Sequence, residues 1–351
     1  MVVCENPLPS RELKSITEPP FKTQNLKLKI QTTVRSPDDY NPPLLLRNAH
    51  IQTIWPSLFR RVDAPAFSRV RITTPDDDFL DIDRSGENGS RAVIISHGLE
   101  GNSNRAYVHG MARAFLDASY DVFAWNFRGC SGEMNRKPRF YHSGDTADLE
   151  TVVKYAISEG YTDLNLIGFS MGGNMSLKYA GEQGDALPDE IRRICCFSVP
   201  CDLTSSALKL ATAGGGIYMK RFMRMLKHKI KQKAALMPDD IPLDGLDSMK
   251  TFAEFDDAYT APLHGFKDAY DYWNRASCKH VLTGIRRPAL LVNALNDPFL
   301  TEACYPREAA SQNPSFTLET PQHGGHAGFP LFNENGLYWH EMRAVEFVSM
   351  G

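Results

Sequence analysis

One stretch constrains this chain more than any other. Asp163-Leu164-Asn165-Leu166-Ile167 is short and mostly apolar, and Gly168-Phe169-Ser170-Met171-Gly172-Gly173 follows it directly. The chain then runs on with helical spacing from Asn174 to Ala180. A strand, a Gly-x-Ser-x-Gly pentad and a helix in immediate succession make a nucleophile elbow. The turn is so tight that the serine backbone is strained, and Gly168 and Gly172 remove side chains that would collide there. The helix that begins after Ser170 aims its free N–H groups at the reacting centre. A bare pentad in a chain with 25 glycines can arise by chance. The flanking strand and helix are what give this one its meaning.

The rest of the sequence supplies a frame for that elbow. Ala92–Ser96 is a continuous apolar run, as expected of a strand buried on both faces. Asn104 is placed to cap a helix reaching about Ala118. A strand at Asp121–Trp125 and a helix at Asp145–Ile157 precede the elbow, and a strand at Ile194–Val199 follows it. This alternation predicts a mostly parallel sheet covered by helices on both faces. Before it, Val70–Thr73 and Phe79–Asp83 alternate around Pro75-Asp76-Asp77-Asp78 and read as a hairpin. Leu26–Ile30 reads as an edge strand, and Pro42–Pro56 as an apolar segment packed against a domain. From about Thr204 to Leu282 the pattern becomes helical, broken at Gly214-Gly215-Gly216. The sheet pattern then resumes at Ala289–Ala294 and Ser315–Glu319, with a helix near Glu302–Ser311 and a last one at Glu334–Val348. The expected organisation is an N-terminal extension over 1–25, a core built from 26–203 and 283–351, and a helical cap insertion over 204–282.

Composition narrows the function classes. The 351 residues allow a large core, and a net charge of −3 gives no reason to expect nucleic acid. Seven cysteines without metal-type spacing read as core thiols of a reducing compartment. With no membrane-length apolar run and no signal-type N-terminus, the expectation is a cytoplasmic protein, peripheral membrane contact being left open.

An elbow serine needs a base downstream and an acid between the two. His323, His326 and His340 fall late enough. His340 lies on the last helix and reads as structural, so His326 is the base, with His323 in reserve. Two histidines three apart lack the carboxylate or cysteine partners of a metal site. Asp297, just after the Ala289–Ala294 strand, is the favoured acid, and Asp202 is its rival at an equivalent strand end. The Met171 N–H and the Leu99 N–H are the expected oxyanion donors. His97 precedes the serine and reads as a residue that shapes its loop.

Further motifs carry a family resemblance. They are Arg47-Asn48-Ala49-His50-Ile51-Gln52-Thr53-Ile54, His97-Gly98-Leu99-Glu100-Gly101 and Asn126-Phe127-Arg128-Gly129-Cys130-Ser131-Gly132. Phe255-Asp256-Asp257, Ala261-Pro262-Leu263-His264-Gly265-Phe266, Asn293-Ala294 with Asp297-Pro298-Phe299, and Gly324-Gly325-His326-Ala327-Gly328-Phe329 complete the set, together with the elbow itself. The chain resembles the YheT-type α/β-hydrolases, esterases related to the larger eukaryotic α/β-hydrolase-domain lipases, from about Pro42 to its last helix. Asn296 departs from the pattern, standing where the family more usually has an acidic residue. The resemblance implies an α/β-hydrolase fold, a Ser170–Asp297–His326 triad and an acyl-ester substrate, with no cofactor or metal. Two alternatives stay in view: an acyltransferase with an alcohol acceptor, and a non-catalytic ligand-binding protein on the same fold.

The insertion adds a last expectation. Ile217–Lys231 interleaves apolar and basic residues with no acid among them. The favoured reading is a substrate lid with an apolar face inward, its Lys and Arg face solvated and balanced by Asp239, Asp240, Asp244 and Asp247. The other reading is a helix that meets anionic lipid interfaces.

Overall fold

The computed structural model describes residues 40–87 and 89–350. The segment 1–25 and the strand expected at Leu26–Ile30 lie outside the described residues. Eight strands form one sheet: β1 (Ser68–Thr73), β2 (Phe79–Ser85), β3 (Arg91–Ser96), β4 (Asp121–Asn126), β5 (Asp163–Phe169), β6 (Ile191–Phe197), β7 (Ala289–Val292) and β8 (Phe316–Glu319). Their spatial order is β1-β2-β4-β3-β5-β6-β7-β8. The β1–β2 hairpin pairs from Ser68↔Arg84 to Thr73↔Phe79, and β2 meets β4 antiparallel; every later pairing is parallel.

The central strands are apolar at successive positions because both of their faces are covered. Ile94, Leu166 and Ile194 join Val152, Val153 and Met175 in one core, which brings in α3 (Thr146–Ser158) and α4 (Met171–Gln183). The alternate residues Val93, Ile95, Ile167 and Phe197 join Met111, Phe115, Trp339 and Val345 in a second core, under α2 (Ala106–Asp117) and α11 (Trp339–Val348). The side-chain period of two puts neighbours on opposite faces, so each strand contributes to both layers.

Two helix starts differ from expectation. α2 begins at Ala106 with Arg105 as its N-cap residue and no side-chain cap. Asn104 does not cap it: it stands one residue before the N-cap position, in a local turn where its N–H donates to Asn102 Oδ1 (3.1 Å). α11 begins at Trp339, five residues later than its periodicity suggested. The apolar segment at 42–56 is largely α1 (Ala49–Phe59), capped by Asn48, whose side chain accepts from the N–H groups of His50 and Ile51.

The Asn126–Gly132 motif proves to be a fastening. Arg128 is buried and forms ion pairs with Asp76 (2.8 Å), Asp78 (3.1 Å) and Asp148 (2.7 Å), so it ties the β1–β2 turn to α3. Asn126 donates to Asp81 O (3.1 Å) and accepts from the Ser103 N–H (2.9 Å). The six described cysteines are all buried thiols.

Between β6 and β7 the described chain carries helices joined by turns and no strand: α5 (Leu203–Thr212), α6 (Ile217–Leu236), α7 (Phe252–Phe255), a π-helical turn at Asp256–Thr260, α8 (Ala261–His264) and α9 (Ala269–Ala276); α10 (Arg307–Gln312) lies between β7 and β8. Buried Asn174 on α4 holds the end of this segment. It donates to Ser143 O (2.9 Å) and Ala276 O (2.8 Å) and accepts from the Cys278 N–H (2.9 Å).

The α6 charges are not all solvated. Lys229 and Lys233 are buried, the first against Glu100 Oε1 (3.0 Å), the second donating to Asn135 Oδ1 (2.9 Å). Of the four aspartates expected as countercharges, Asp247 takes that part, pairing with Lys231 at 2.7 Å. A buried ammonium needs fixed partners, and these lie about a hundred residues away in sequence, beyond the reach of local periodicity.

Candidate active site

The elbow forms where β5 ends. Ser170 has φ 52° and ψ −117°, a conformation that L-residues avoid unless the surroundings enforce it. Enforcement comes from both sides. The Ser170 N–H donates to Phe197 O (2.9 Å), and Gly172 packs so closely on β3 that a Cβ there would stand 2.4 Å from the Ser96 and His97 carbonyl oxygens. Gly168 faces the same restriction, at 2.5 Å from Gly173 Cα. A side chain at either position would push α4 off the sheet.

Three side chains from three strand ends meet in a line. His326 Nε2 lies 2.9 Å from Ser170 Oγ, and His326 Nδ1 lies 2.9 Å from Asp297 Oδ2 and 3.2 Å from Oδ1. Asp297 is 2% exposed and also accepts from the Phe299 N–H (2.9 Å). The Phe299 ring covers the imidazole with centroids 4.2 Å apart. With the carboxylate on Nδ1, the proton sits there and Nε2 is left as an acceptor for the serine hydroxyl.

The other expected residues fall elsewhere. His323 Nδ1 is 3.4 Å from Asn296 Nδ2, away from the serine. His340 is fully buried beneath the sheet among Phe169, Phe197 and Phe329. Asp202 caps α5 through the Ser205 N–H (2.9 Å) and pairs with Lys279 (2.6 Å). Burial works against its ionisation, but Lys279 and the Ser205 N–H outweigh that and hold its carboxyl below the usual range. His97 shapes its loop: Nε2 accepts from the Phe127 N–H (3.2 Å) and Nδ1 donates to Gly98 O (2.8 Å). Burial pushes its pKa down to about 3, so it stays a neutral strut.

The Leu99 loop is held open beside the elbow. The Gly98 N–H donates to Tyr107 Oη (3.0 Å), the Gly101 N–H to Gly98 O (2.9 Å), and the Glu100 N–H to Tyr141 Oη (3.1 Å). Among the described residues neither the Leu99 nor the Met171 N–H has an acceptor. Leu99 and Met171 both line the cavity above Ser170.

Several positioning residues were not legible in the sequence. Thr53 Oγ1 accepts from the His326 N–H (2.9 Å), Gln52 Oε1 from the Gly324 N–H (2.9 Å), and Ser198 Oγ from the Ala327 N–H (2.8 Å). Asn296 Oδ1 accepts from the Gly325 N–H (3.0 Å), while its amide donates to Gln52 Oε1 (2.8 Å). A neutral amide can do both, and an acid at this position could not donate to Gln52 without a proton. The only signal in the sequence was the Arg47–Ile54 motif, whose reason lies 273 positions downstream.

A cavity of about 310 Å³ opens over Ser170 and His326, with α1, the 140–143 loop and the helical insertion as walls. Phe140, Leu203, Phe222, Met225, Phe255 and Phe299 make most of it apolar. Asp256, at the start of the π-helical turn, also faces it and accepts from Trp273 Nε1 (2.8 Å) and Thr260 Oγ1 (2.5 Å). Burial raises this carboxyl to about 7 against the pull of those two donors. The native state therefore favours the protonated acid. Its contribution to stability is complete below the unfolded pKa of 3.8 and is lost as pH rises towards 7. Asp256→Asn, which keeps an acceptor for Trp273, is expected to gain on the wild type in stability across that window and to hold the gain above it, by up to about 4 kcal/mol, read as a raised melting temperature. Thermal melts between pH 4 and pH 8 measure this, and a difference that does not change with pH would refute it.

The sheet order, the strained serine at the β5–α4 turn and the downstream histidine and aspartate together define a class. The chain belongs to the alpha/beta hydrolase fold family, whose model matches residues 91–331. Within that family it is 34% identical over 290 residues to "Putative esterase YheT" of Escherichia coli (strain K12), covering 80% of this chain and 84% of that one. It is also 30% identical over 240 residues to "Phospholipase ABHD3" of Mus musculus, covering 68% of this chain and 58% of that protein. Among solved structures, the Pyrococcus furiosus esterase Pf2001 shares the fold at a TM-score of 0.55 and 19% identity, over 84% of this chain and 100% of that one. No described helix is long and apolar enough to cross a membrane.

Proposed function

We propose that the chain, a carboxylic ester hydrolase, cleaves acyl esters through an acyl-enzyme on Ser170. The observation that carries this reading is the 2.9 Å approach of His326 Nε2 to Ser170 Oγ, with Asp297 on the opposite nitrogen. Ser170 Oγ attacks the ester carbonyl carbon while His326 Nε2 takes its proton, and Asp297 stabilises the imidazolium. The Leu99 and Met171 N–H groups receive the oxyanion, each contributing about 3–4 kcal/mol to the transition state. Collapse expels the alcohol, which takes the proton back from His326. Water then gives a proton to the same nitrogen and attacks the acyl carbon; the acyl–Oγ bond breaks, Ser170 takes that proton back from His326, and the acid is released. A fluorophosphonate probe together with p-nitrophenyl esters of rising chain length tests the assignment, and absence of both labelling and turnover would overturn it.

Residues 204–282 are read as the cap of this site, and α6 as a lid that sorts acyl chains. Phe222, Met225 and Leu226 line the cavity, while two of the helix's lysines are committed to internal partners. That favours the lid over a lipid-interface helix, because less of the basic charge is free for a membrane. Phe222→Asp is expected to lower kcat/KM for octanoate esters about tenfold or more beyond its effect on acetate esters, since a carboxylate would then border the acyl chain. Equal losses on both esters would count against the lid. Co-sedimentation with anionic vesicles at low salt, lost when Lys220, Arg221, Arg224 and Lys227 become Gln, would restore the interfacial reading.

A further inference from the structure

The cavity wall carries two cations that the proposed chemistry does not use. Arg105 stands at the N-terminal end of α2 and donates to Glu100 O (2.9 Å), so its guanidinium lies one residue from the Leu99 N–H. Arg221 reaches the same cavity from α6 on the opposite wall. Neither forms an ion pair among the described residues, and Arg221 makes no hydrogen bond among them either. Two carboxyl groups border the same cavity: Glu100 is already engaged by Lys229 (3.0 Å) and by the Tyr141 hydroxyl (2.5 Å), and Asp256 by Trp273 Nε1 (2.8 Å) and Thr260 Oγ1 (2.5 Å). Partial burial, Arg105 and Arg224 all act to lower the Arg221 pKa. Arg221 is exposed and Arg105 half-buried, and with the carboxyl groups of the cavity already engaged, an anion between the two guanidiniums would be attracted by both.

We infer that Arg105 and Arg221 form an anion subsite at the active-site cavity, selecting esters whose alcohol portion carries a phosphate or a carboxylate. The inference rests on the reading of Ser170 as nucleophile and names the substrate class of that site. The apolar walls take the acyl chain, the ester carbonyl lies at Ser170, and the anionic group on the alcohol side meets the two guanidiniums. Each guanidinium contributes charge-assisted hydrogen bonds, which sets the expected selectivity.

The test compares soluble esters of one acyl chain: monobutyryl glycerol, 1-butyryl-glycerol 3-phosphate and the butyryl ester of glycerate. All three are used as monomers, so no lipid interface takes part. Binding to full-length Ser170→Ala protein is measured by calorimetry, and turnover with the wild type. Ser170→Ala is expected to bind at least one of the anionic esters about tenfold to a hundredfold more tightly than the neutral one. Adding Arg105→Gln and Arg221→Gln should bring that ratio to about one. Preference for the phosphate ester alone or for the glycerate ester alone identifies the anion. Arg221→Gln by itself carries the test if the Arg105 variant does not fold, because Arg221 makes no hydrogen bond or ion pair with the described residues. Equal binding of neutral and anionic esters, or a preference that survives both substitutions, overturns the subsite. A binding preference without wild-type turnover would instead sink the nucleophile assignment and leave the subsite standing.

Discussion

Ser170→Ala is expected to fold as the wild type does and to lose ester turnover by a factor on the order of 10⁴ or more in kcat. The side chain contributes little else: its one hydrogen-bond partner among the described residues is His326 Nε2, and the backbone bond from the Ser170 N–H to Phe197 O survives the change. Alanine meets the same strain at φ 52° that serine already tolerates. What disappears is the oxygen that forms the acyl-enzyme, and with it labelling by a fluorophosphonate. Near-ultraviolet circular dichroism and a thermal melt verify the fold, and a p-nitrophenyl butyrate assay reads the loss. Turnover retained by protein of equal folded content would show that the nucleophile lies elsewhere.

A second large effect is expected at the acid. In Asp297→Asn the new amide can donate to His326 Nδ1, which favours the tautomer with its proton on Nε2. That nitrogen then cannot accept from Ser170 Oγ, and the carboxylate that would stabilise the imidazolium is gone. The expected fall in kcat is on the order of 10⁴. Asp202→Asn makes the contrast. Its amide oxygen can still cap α5 for the Ser205 N–H, and the Lys279 pair it loses is partly exposed, so the expected cost is less than about 1 kcal/mol of stability with little change in turnover. Kinetics on the two variants at matched folded content decide between them. A larger loss at Asp202 would move the acid to the end of β6.

The sheet and its elbow were legible because their signals are local. The four apolar residues Ala92–Ile95 with Ser96 specify a strand buried on both faces, and the glycines around Ser170 specify a turn that few other sequences could form. The order of serine, aspartate and histidine then placed Asp297 and His326 without any coordinates. What escaped depends on distant partners. Nothing near Lys229 announces that Glu100 will sit against it, so the basic stripe on α6 read as solvated along its whole length. Gln52 and Thr53 looked like part of an apolar segment, whereas their side chains hold the backbone of the histidine loop. The start of α2 differs for a smaller reason: the turn closed by Asn102 carries the chain one residue past Asn104 before the helix begins.

The anchoring of α6 sets how fast this site can exchange its contents. One stretch of the helix borders the cavity through Phe222 and Leu226, and the next turns are fixed by Lys229 on Glu100 and Lys233 on Asn135. Swinging the helix outward would leave Glu100 buried without its cation, at a cost of about 3–5 kcal/mol. A wide opening is thus a sparsely populated state. Substrate is therefore expected to enter through the mouth already present, past the side chains of Phe222 and Met225.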